Sequence, residues 1–343
     1  MLNASFCGVD DITGEQAVEL QDRKMVLHGN PVTQITWNFQ NRLKKIPSWL
    51  QTLEKVTYAD IGWGCDVKEI TGGAFPASLE ELNIQNQITG LRLHPDSFEG
   101  LSKLKWLEMS TNKLTDDDMH PELFGDTKLK WLMIYGNPDI VNFDAAALFP
   151  GGSRSLQYWD CSTCGFKSFG DDKTNFHGLS ELREVRLSAN IHLSSSDTSA
   201  NPLKSIDVTS FHGLSELETL YIADASLTSL PAGVFSGLFN LKRLYLDEND
   251  FDWLPPRLFA DLCSATLVSL GDAFNTEALG DFTFAGIKDC NVVHAGAMTD
   301  EVLEICEAQR GDDAVHFCDA VFCKDGACSD CATETSCGGN ENG

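Results

Sequence analysis

The feature that most constrains the fold of this chain is a repeated pattern of leucines. One copy lies within LFNLKRLYLDENDF, residues 238–251, where Leu241, Leu244, Leu246 and Phe251 are apolar and Asn249 is an amide. The alternation around Leu244 indicates a short strand with one buried face. A single strand of this length is not stable alone. Copies of the same unit elsewhere in the chain must therefore pair with it.

The pattern L-x-x-L-x-L-x-x-N-x-L recurs along most of the chain, and we number its positions 1 to 11. Successive units begin 24 to 27 residues apart, with one interval of 35 that holds a predicted loop at 194–202. A weaker copy begins at Val32, so the sequence predicts one degenerate unit and nine clear ones over residues 32–290. The clear units begin at Leu53, Leu79, Leu104, Leu129, Leu156, Leu182, Leu217, Leu241 and Leu267.

Each unit is expected to supply one strand of a parallel sheet, with neighbouring strands about 4.8 Å apart. The apolar residues at positions 1, 4, 6 and 11 would form layers that no single unit can bury alone. An amide at position 9 can satisfy backbone groups of adjacent turns. That position is assigned to Asn112, Asn137, Asn190, Asn249 and Asn275.

Phenylalanines form a second register just before the next unit begins, and they are expected to stack along the side opposite the sheet. Because this side is wider than the sheet, the stack should curve into a horseshoe with the sheet on its concave face. Four of these residues open an F-x-G-L step, and five more lie at similar places: Phe98, Phe176, Phe211 and Phe235, then Phe75, Phe124, Phe149, Phe259 and Phe284.

Residues 32–290 resemble the extracellular leucine-rich repeat family, whose units have near 24 residues in Toll-like and Slit ectodomains. The resemblance rests on the leucine pattern, on the F-x-G-L steps, and on the dipeptides IP at Ile46 and LP at Leu230 and Leu254. It implies an α/β solenoid, a leucine-rich repeat horseshoe with a concave parallel β-sheet, capped at both ends. A shared fold of this kind does not identify a ligand.

Composition excludes several classes of function. The chain carries 25 basic and 51 acidic residues, a formal net charge of −26, which opposes binding to nucleic acid or to anionic lipid. No apolar run approaches the roughly 18 residues of a membrane-spanning helix, and the C-terminus has no hydrophobic anchor. The first residues do not form a signal peptide, so a secreted form would be already processed or a fragment.

Twelve cysteines favour an oxidising compartment, and we therefore expect an extracellular or cell-surface location. Cys7 and Cys65 are the expected N-terminal pair. Four cysteines near the C-terminus form a group that allows three possible disulfide pairings. Four more form a tail group, which has no histidine at the spacing of a zinc site. The Cys161 and Cys164 pair falls at positions 6 and 9, so a structural role is expected rather than redox chemistry. The two groups are Cys263, Cys290, Cys306 and Cys318, then Cys323, Cys328, Cys331 and Cys337.

Four segments are predicted. Residues 1–31 form an N-terminal cap with an amphipathic helix over 17–27, and 32–290 hold the repeats. Residues 291–318 form a C-terminal cysteine cap with a helix over 299–310, and 319–343 form an acidic cysteine-rich tail similar to an incomplete EGF-like module. Asn3 lies in a possible glycosylation sequon, a short and weak motif.

Position 3 of successive units brings aromatic residues side by side on the solvent face of the predicted sheet. Lys55 and Glu81 precede them in this row. A contiguous exposed aromatic row favours contact with a protein, peptide or glycan; the alternative is a ladder that only stabilises strand pairing. The candidate ligand-binding residues are Trp106, Trp131, Met133, Tyr135, Tyr158, Tyr221 and Tyr245.

Acidic residues flank this row and could steer a basic partner, although a merely solvated surface explains them equally well. They are Glu80, Glu81, Asp160, Glu184, Asp224, Asp247 and Glu248. Aspartate runs such as 116–118 do not match a calcium-binding loop, which leaves calcium binding undecided.

The sequence contains none of the common catalytic motifs, and no cofactor or metal site is expected. Two functions remain. The first is a non-enzymatic extracellular recognition module that binds on its concave face. The alternative is a structural subunit of an extracellular or cell-surface assembly, held through its edges and its cysteine-rich tail.

Overall fold

A computed structural model describes residues 2–3, 25–26, 32–36, 43–150, 155–169, 174–188, 203, 205–272 and 274–311. Its centre is an eleven-stranded sheet in which each strand pairs in parallel with the next one along the chain. The strands are β1 Gln34–Thr36, β2 Tyr58–Asp60, β3 Glu81–Asn83, β4 Trp106–Glu108, β5 Trp131–Met133, β6 Tyr158–Asp160, β7 Glu184–Arg186, β8 Thr219–Tyr221, β9 Arg243–Tyr245, β10 Leu267–Ser269 and β11 Val293–His294.

The middle residue of each three-residue strand points into the solenoid, and the two outer residues lie on the concave face. Leu82, Leu107 and Leu132 are in register and fully buried. Side chains alternate between the two faces of a strand, so positions 3 and 5 share the face opposite these leucines. The predicted α/β solenoid with a concave parallel sheet is confirmed.

Two predicted unit boundaries are wrong. Tyr58 pairs with Glu81, and Leu267 pairs with Arg243, so both Tyr58 and Leu267 occupy position 3. The units therefore begin at residues 56 and 265, and the predicted starts at 53 and 267 are displaced. Their inward residues are Ala59 and Val268 rather than leucine. In the first of these units, buried Leu53 was mistaken for position 1.

The same shift corrects two residue assignments. Lys55 does not lie on the concave sheet, because Tyr58 occupies position 3 of that unit. Asn275 does not occupy position 9; it is exposed, and its side chain accepts from the Glu277 N–H at the start of a short 3-10 helix. Asn275 is instead the N-cap of the 3-10 helix Thr276–Ala278.

Asparagine side chains connect neighbouring units as predicted. Asn137 Oδ1 accepts from the backbone N–H of Asn112 at 2.9 Å and of Leu114 at 3.0 Å, and Asn137 Nδ2 donates to the Ile134 carbonyl at 2.7 Å. Asn249 makes the same bonds to residues 225, 227 and 222. Gln87 takes this place in the unit at Leu79, and Asn190 lies outside the described residues.

A left-handed backbone residue precedes position 9 in most of the described units, whether position 9 is an amide or, as at Cys164, a cysteine. Thr111, Thr163 and Glu248 have φ values of 54°, 55° and 55° there. Gly136 has φ 67°, and a Cβ added to it would lie 2.9 Å from Thr111 Cγ2. Non-glycine residues adopt this conformation at a cost of about 1–2 kcal/mol. The turn is retained because it directs the next side chain into the solenoid.

The predicted phenylalanine stack forms the core on the side opposite the sheet. Neighbouring rings are 5.1 to 6.4 Å apart along Phe98, Phe124 and Phe149, and along Phe211, Phe235, Phe259 and Phe284. In the middle of the molecule Trp159 replaces the inward leucine of its unit and packs against Phe143 and Phe176. These rings keep the return segments wider than the strands and so maintain the curvature.

The return segments contain only short elements. Two-residue parallel strands pair Glu69–Ile70 with Arg92–Leu93, Phe143–Asp144 with Thr174–Asn175, and Ser168–Phe169 with Ser205–Ile206. A single helical turn, α1, spans Ala145–Leu148, and 3-10 helices span Leu50–Thr52 and Asp116–Asp118. No helix in the described ranges is long and apolar enough to cross a membrane.

The sheet continues beyond residue 290, where the repeats were predicted to end. Strand β11 adds an eleventh rung and is flanked by 3-10 helices Cys290–Val292 and Gly296–Met298. Helix α2, Thr299–Gln309, follows and matches the predicted helix. A disulfide between Cys290 and Cys306 joins α2 to the last rung. The end of the hydrophobic core is therefore covered by α2.

At the N-terminus, Leu2–Asn3 pairs in parallel with Met25–Val26. The predicted helix over 17–27 therefore cannot include Met25 and Val26, which are extended; the rest of that segment lies outside the described residues. Cys65 is buried, but its expected partner Cys7 is not described, so that pair stays a prediction.

The remaining described cysteines are bonded. Cys161 and Cys164 form a disulfide inside the core, which agrees with a structural role, although the sequence did not predict a bond between them. Cys263 is also disulfide-bonded. The other C-terminal cysteines, from 318 to 337, and the sequon at Asn3 fall where no side chain is described.

Candidate functional site

The structure places the predicted aromatic row on adjacent strands of the concave sheet. Trp106 on β4 pairs with Trp131 on β5, and Trp131 pairs with Tyr158 on β6. All three residues occupy position 3, so their side chains lie on the same face. Trp131 is 40% exposed, and its two neighbours are half-buried. The row is accessible at its centre.

Met133 and Tyr135 lie beside this row, as expected. Met133 occupies position 5 of β5, and its neighbours in register are Glu108 on β4 and Asp160 on β6. Tyr135 follows two residues later on the same chain segment. Both Met133 and Tyr135 are half-buried. A thioether and a phenol therefore lie in the space between two acidic side chains.

Glu108 and Asp160 are nearly buried, at 5% and 7% exposed. Each carboxylate accepts the backbone N–H two residues further along: Ser110 N donates to Glu108 Oε1 at 2.9 Å, and Ser162 N donates to Asp160 Oδ1 at 2.9 Å. These bonds satisfy N–H groups where the chain leaves the sheet. They also fix the acids against the strand ends, facing the concave side.

Burial raises the pKa of Glu108, and the negative charge of Asp160 raises it further. Burial likewise raises the pKa of Asp160, against the opposing effect of the Ser162 hydrogen bonds and of nearby Arg186. The pKa of Tyr135 is raised by burial and by both carboxylates. Within the part of the chain that the structure describes, Glu108 forms no salt bridge.

Arg186 is a site residue that the sequence analysis missed. Its guanidinium lies 5.4 Å from the Tyr158 ring centroid and 4.8 Å from that of Tyr221. It also donates to Glu184 Oε1 at 2.7 Å. Reading position 5 along the sheet, as was done for position 3, would have placed Arg186 between Asp160 and Tyr221.

Through Arg186, the two predicted aromatic groups become one surface. Tyr221 and Tyr245 stack in parallel, with ring centroids 4.3 Å apart. The result is a continuous strip across strands β4 to β9, which we call the aromatic band. Its members are Trp106, Trp131, Tyr158, Arg186, Tyr221 and Tyr245.

The predicted flanking acids have different surroundings. Glu80 is paired with Lys105 at 2.7 Å, and Glu184 is paired with Arg186. Glu81 is exposed at position 3 of β3, next to Trp106 in register. Asp247 accepts a hydrogen bond from the Ser269 hydroxyl. The last two, Asp224 and Glu248, have left-handed backbone in the turns after β8 and β9.

No group of three or more histidine, cysteine, aspartate or glutamate side chains in the described ranges is arranged to hold a metal ion. The run at 116–118 has a structural use instead. Asp118 is buried, pairs with Arg92 at 2.9 Å and accepts the Leu93 N–H at 3.0 Å. Asp116 accepts from the backbone of residues 141 and 142.

Comparison with known proteins agrees with the fold. A leucine-rich repeat family model matches residues 197–251. No significant match exists among curated protein sequences. The family match covers residues 197–251, and the eleven parallel rungs show that the described repeats have the leucine-rich repeat solenoid fold.

Among solved structures, one similar chain comes from the Toll–Spatzle complex of Drosophila. It has 20% identity and a TM-score of 0.54, and the match covers 80% of this chain and 36% of that one. Human 5T4 (Wnt-activated inhibitory factor 1, trophoblast glycoprotein) has 24% identity and a TM-score of 0.48, over 67% and 81% of the two chains. This chain thus spans about a third of the Toll-complex chain, and the likeness concerns the fold alone.

Proposed function

We propose that this chain is a non-enzymatic recognition module that binds a protein or peptide partner on its concave face through the aromatic band. The observation that carries the proposal is Trp131, 40% exposed at the centre of an unbroken row of aromatic residues. Single exposed apolar residues need no explanation, but contiguous ones mark contact surfaces. Tryptophan, tyrosine and arginine dominate the energetically important positions of protein interfaces.

The proposal includes an extracellular or cell-surface location. Disulfides join Cys161 to Cys164 and Cys290 to Cys306, and such bonds persist mainly in oxidising compartments. The Toll–Spatzle complex is a case in which a chain with a similar fold is found in a complex with another protein. These facts support a module that meets its partner outside the cytosol.

A purely structural use of the aromatic residues explains only part of the band. Tyr221 and Tyr245 stack on each other, as residues of a stabilising ladder would. Trp131 leaves two fifths of its surface in solvent, which a ladder does not require. The alternative of an assembly subunit rests on the tail at 319–343, which lies outside the described residues, and it stays a prediction.

The test compares two sets of aromatic substitutions. One variant carries Trp106→Ala, Trp131→Ala and Tyr158→Ala, and the matched control carries Trp253→Ala and Phe282→Ala. Trp253 and Phe282 are also exposed, at 48% and 64%, but they lie outside the concave sheet. Each protein is immobilised, exposed to extracellular fluid of the native source, and analysed by mass spectrometry of the retained proteins.

We expect one or more proteins to be retained by the wild type and the control and to be reduced at least about tenfold on the triple variant. Circular dichroism verifies that all three proteins are folded. A folded triple variant that retains the same proteins at wild-type levels would exclude the concave face as the binding surface.

A further inference from the structure

We propose that the aromatic band binds a basic segment of a partner polypeptide, with one arginine or lysine side chain lying over Trp131 between the carboxylates of Glu108 and Asp160. This inference rests on the proposed function and specifies the chemistry of the partner. We call the place defined by Trp131, Met133, Glu108 and Asp160 the cation site.

The chain itself contains a model for such a contact. Arg186 lies between the rings of Tyr158 and Tyr221 and donates to Glu184 at 2.7 Å. A guanidinium is stabilised by aromatic faces and by charge-assisted bonds to carboxylate. The concave face therefore accommodates an arginine head group where aromatic residues and an acid meet on neighbouring strands.

The cation site has the same kinds of residues without the cation. Met133 occupies position 5 of β5, the position that Arg186 occupies in β7. Acids lie on both neighbouring strands, and Trp131 presents its ring two residues away from Met133. Lys105, a nearby base, is engaged with Glu80 at 2.7 Å. Among the described side chains, Arg186 is the one cation that acts on Asp160, and it is bonded to Glu184 instead.

The spacing suits an inserted side chain. Strands β4 and β6 are separated by β5, so their backbones are about 10 Å apart. Glu108 and Asp160 extend from the same face on either side of that gap. A guanidinium or ammonium group above Met133 would lie between the two carboxyl groups, where a charge-assisted hydrogen bond of about 2.8 Å can form to either of them.

The energetics favour a positively charged occupant. Both acids are already largely removed from water, at 5% and 7% exposed, so little further desolvation of them is needed on binding. A buried carboxylate without a counter-charge is unfavourable, and a cation from a partner relieves that cost. Because the acids are held by Ser110 and Ser162, the site is also preorganised.

The charge of the surrounding surface also favours a basic partner over an acidic or apolar one. The chain has a formal net charge of −26, and exposed Glu81 lies beside Trp106 at the edge of the band. A negative surface accelerates and orients association with a basic segment. An acidic or purely apolar segment would leave Glu108 buried without a counter-charge, so these partners are disfavoured.

The experiment selects binders from a phage-displayed library of random peptides on the immobilised wild-type chain. Peptides are kept when they do not bind the Trp106→Ala, Trp131→Ala, Tyr158→Ala variant, since those depend on the band. The tightest of them is synthesised in two forms, with its basic residue and with a neutral isostere, citrulline for arginine or acetyl-lysine for lysine. Fluorescence anisotropy then gives each dissociation constant.

We expect the kept peptides to be enriched in arginine or lysine and the neutral form to bind about tenfold more weakly. The Glu108→Gln, Asp160→Asn double variant should bind the basic peptide more weakly than the wild type does, by a similar factor. It should bind the basic and neutral peptides equally, since the protein substitutions and the neutral peptide each remove the same interaction. The control Glu99→Gln, Asp117→Asn removes one glutamate and one aspartate that are exposed on the return segments. It should change binding less than about twofold.

Met133→Arg provides a second test that leaves both acids in place. Its own guanidinium should occupy the cation site and weaken the basic peptide by about tenfold. Peptides that need the band but show no basic enrichment, or bind the Glu108→Gln, Asp160→Asn variant as tightly as the wild type, would overturn the inference while the proposed function stands. A library that yields no band-dependent peptide would count against both.

Discussion

Two parts of the concave sheet share a backbone and differ in how their charges are satisfied. In the open part, strands β4 to β6, Glu108 and Asp160 flank Met133 and the exposed Trp131. In the closed part, strands β7 to β9, Arg186 fills the equivalent position and contacts Tyr158, Tyr221 and Glu184. One side chain at position 5 thus decides whether a strand carries its own cation or leaves a place for one.

The acids of the two parts show the same contrast in their protonation. Burial raises the pKa of Glu108 in the open part. In the closed part, a hydrogen bond from Lys242 lowers the pKa of Glu218, which also pairs with Arg183 at 2.8 Å. Arg243, the basic residue of strands β8 and β9, donates to Thr219 Oγ1 at 2.8 Å. In the closed part Glu184 and Glu218 are paired with basic side chains, whereas Glu108 in the open part is not.

The largest expected effect comes from removing an amide beneath the open part. Asn137→Ala should lower the free energy of unfolding by about 3 kcal/mol, because it leaves the buried N–H groups of Asn112 and Leu114 without an acceptor. In the closed part Asn249 occupies the same position of its unit and accepts the N–H groups of Ala225 and Leu227 in the same way. Urea unfolding measures the change, and a loss below about 1 kcal/mol would contradict the prediction.

A smaller effect is expected in the closed part. Arg186→Met should lower the free energy of unfolding by about 2 kcal/mol, because it removes two cation–π contacts and a half-exposed ion pair with Glu184. The variant should also acquire a second place for basic peptides, since the closed part would then resemble the open one.

Arg186→Lys serves as the control for this prediction, because it keeps the charge and loses the planar group that lies between the two rings. Its stability should fall between those of the wild type and Arg186→Met. Equal stability of all three proteins in urea unfolding would mean that Arg186 contributes nothing to the closed part.

The smallest effect is a gain of stability in the open part. Glu108→Gln keeps an oxygen for the Ser110 N–H and removes the buried charge, so the free energy of unfolding should rise at pH 7, by less than the loss expected for Arg186→Met. The pKa of Glu108 is higher in the folded chain than in the unfolded one. The folded state therefore holds more protons between the two values, and this residue lowers stability as pH rises through them.

The check is the difference in unfolding free energy between wild type and Glu108→Gln, measured by urea at several pH values. The variant's advantage should be present at pH 7 and vanish below the ordinary pKa range of a glutamate. A difference that is independent of pH, or that grows on acidification, would show that the charge of Glu108 is not unfavourable in the fold.

Much of the fold was predictable from the sequence because a few buried residues define the geometry of each unit. The leucines from Leu79 to Leu241, the amides at Asn112, Asn137 and Asn249, and the phenylalanine stack occupy the expected places. The pattern failed in two units, where a neighbouring leucine, Leu53 or Leu267, was taken as position 1. Ala59 and Val268 do not mark position 4 as a leucine does, so their units were placed two or three residues away.

The candidate site was predictable only in part. Trp106, Trp131 and Tyr158 form a row because regular spacing fixes which residues are neighbours in a parallel sheet. Regular spacing also held for Met133, Tyr221 and Tyr245. The place of Arg186 could have been found by reading position 5 of each unit, but its contacts depend on how a long side chain lies across two strands, which no repeat pattern states. The bond between Cys161 and Cys164 likewise depends on side-chain geometry within one unit.

The sequence by itself determined that the chain would be a solenoid, because leucines at near-constant intervals can be buried only by stacking their strands. In the units whose starts were predicted correctly, it also determined which residues face the concave side, since side chains alternate along a strand. Only the tertiary structure decided which acids would be neutralised. Arg186 turns to Glu184 and two tyrosine rings, whereas Glu108 stays buried beside Met133, because charge compensation is settled by contacts between strands that are far apart in the chain.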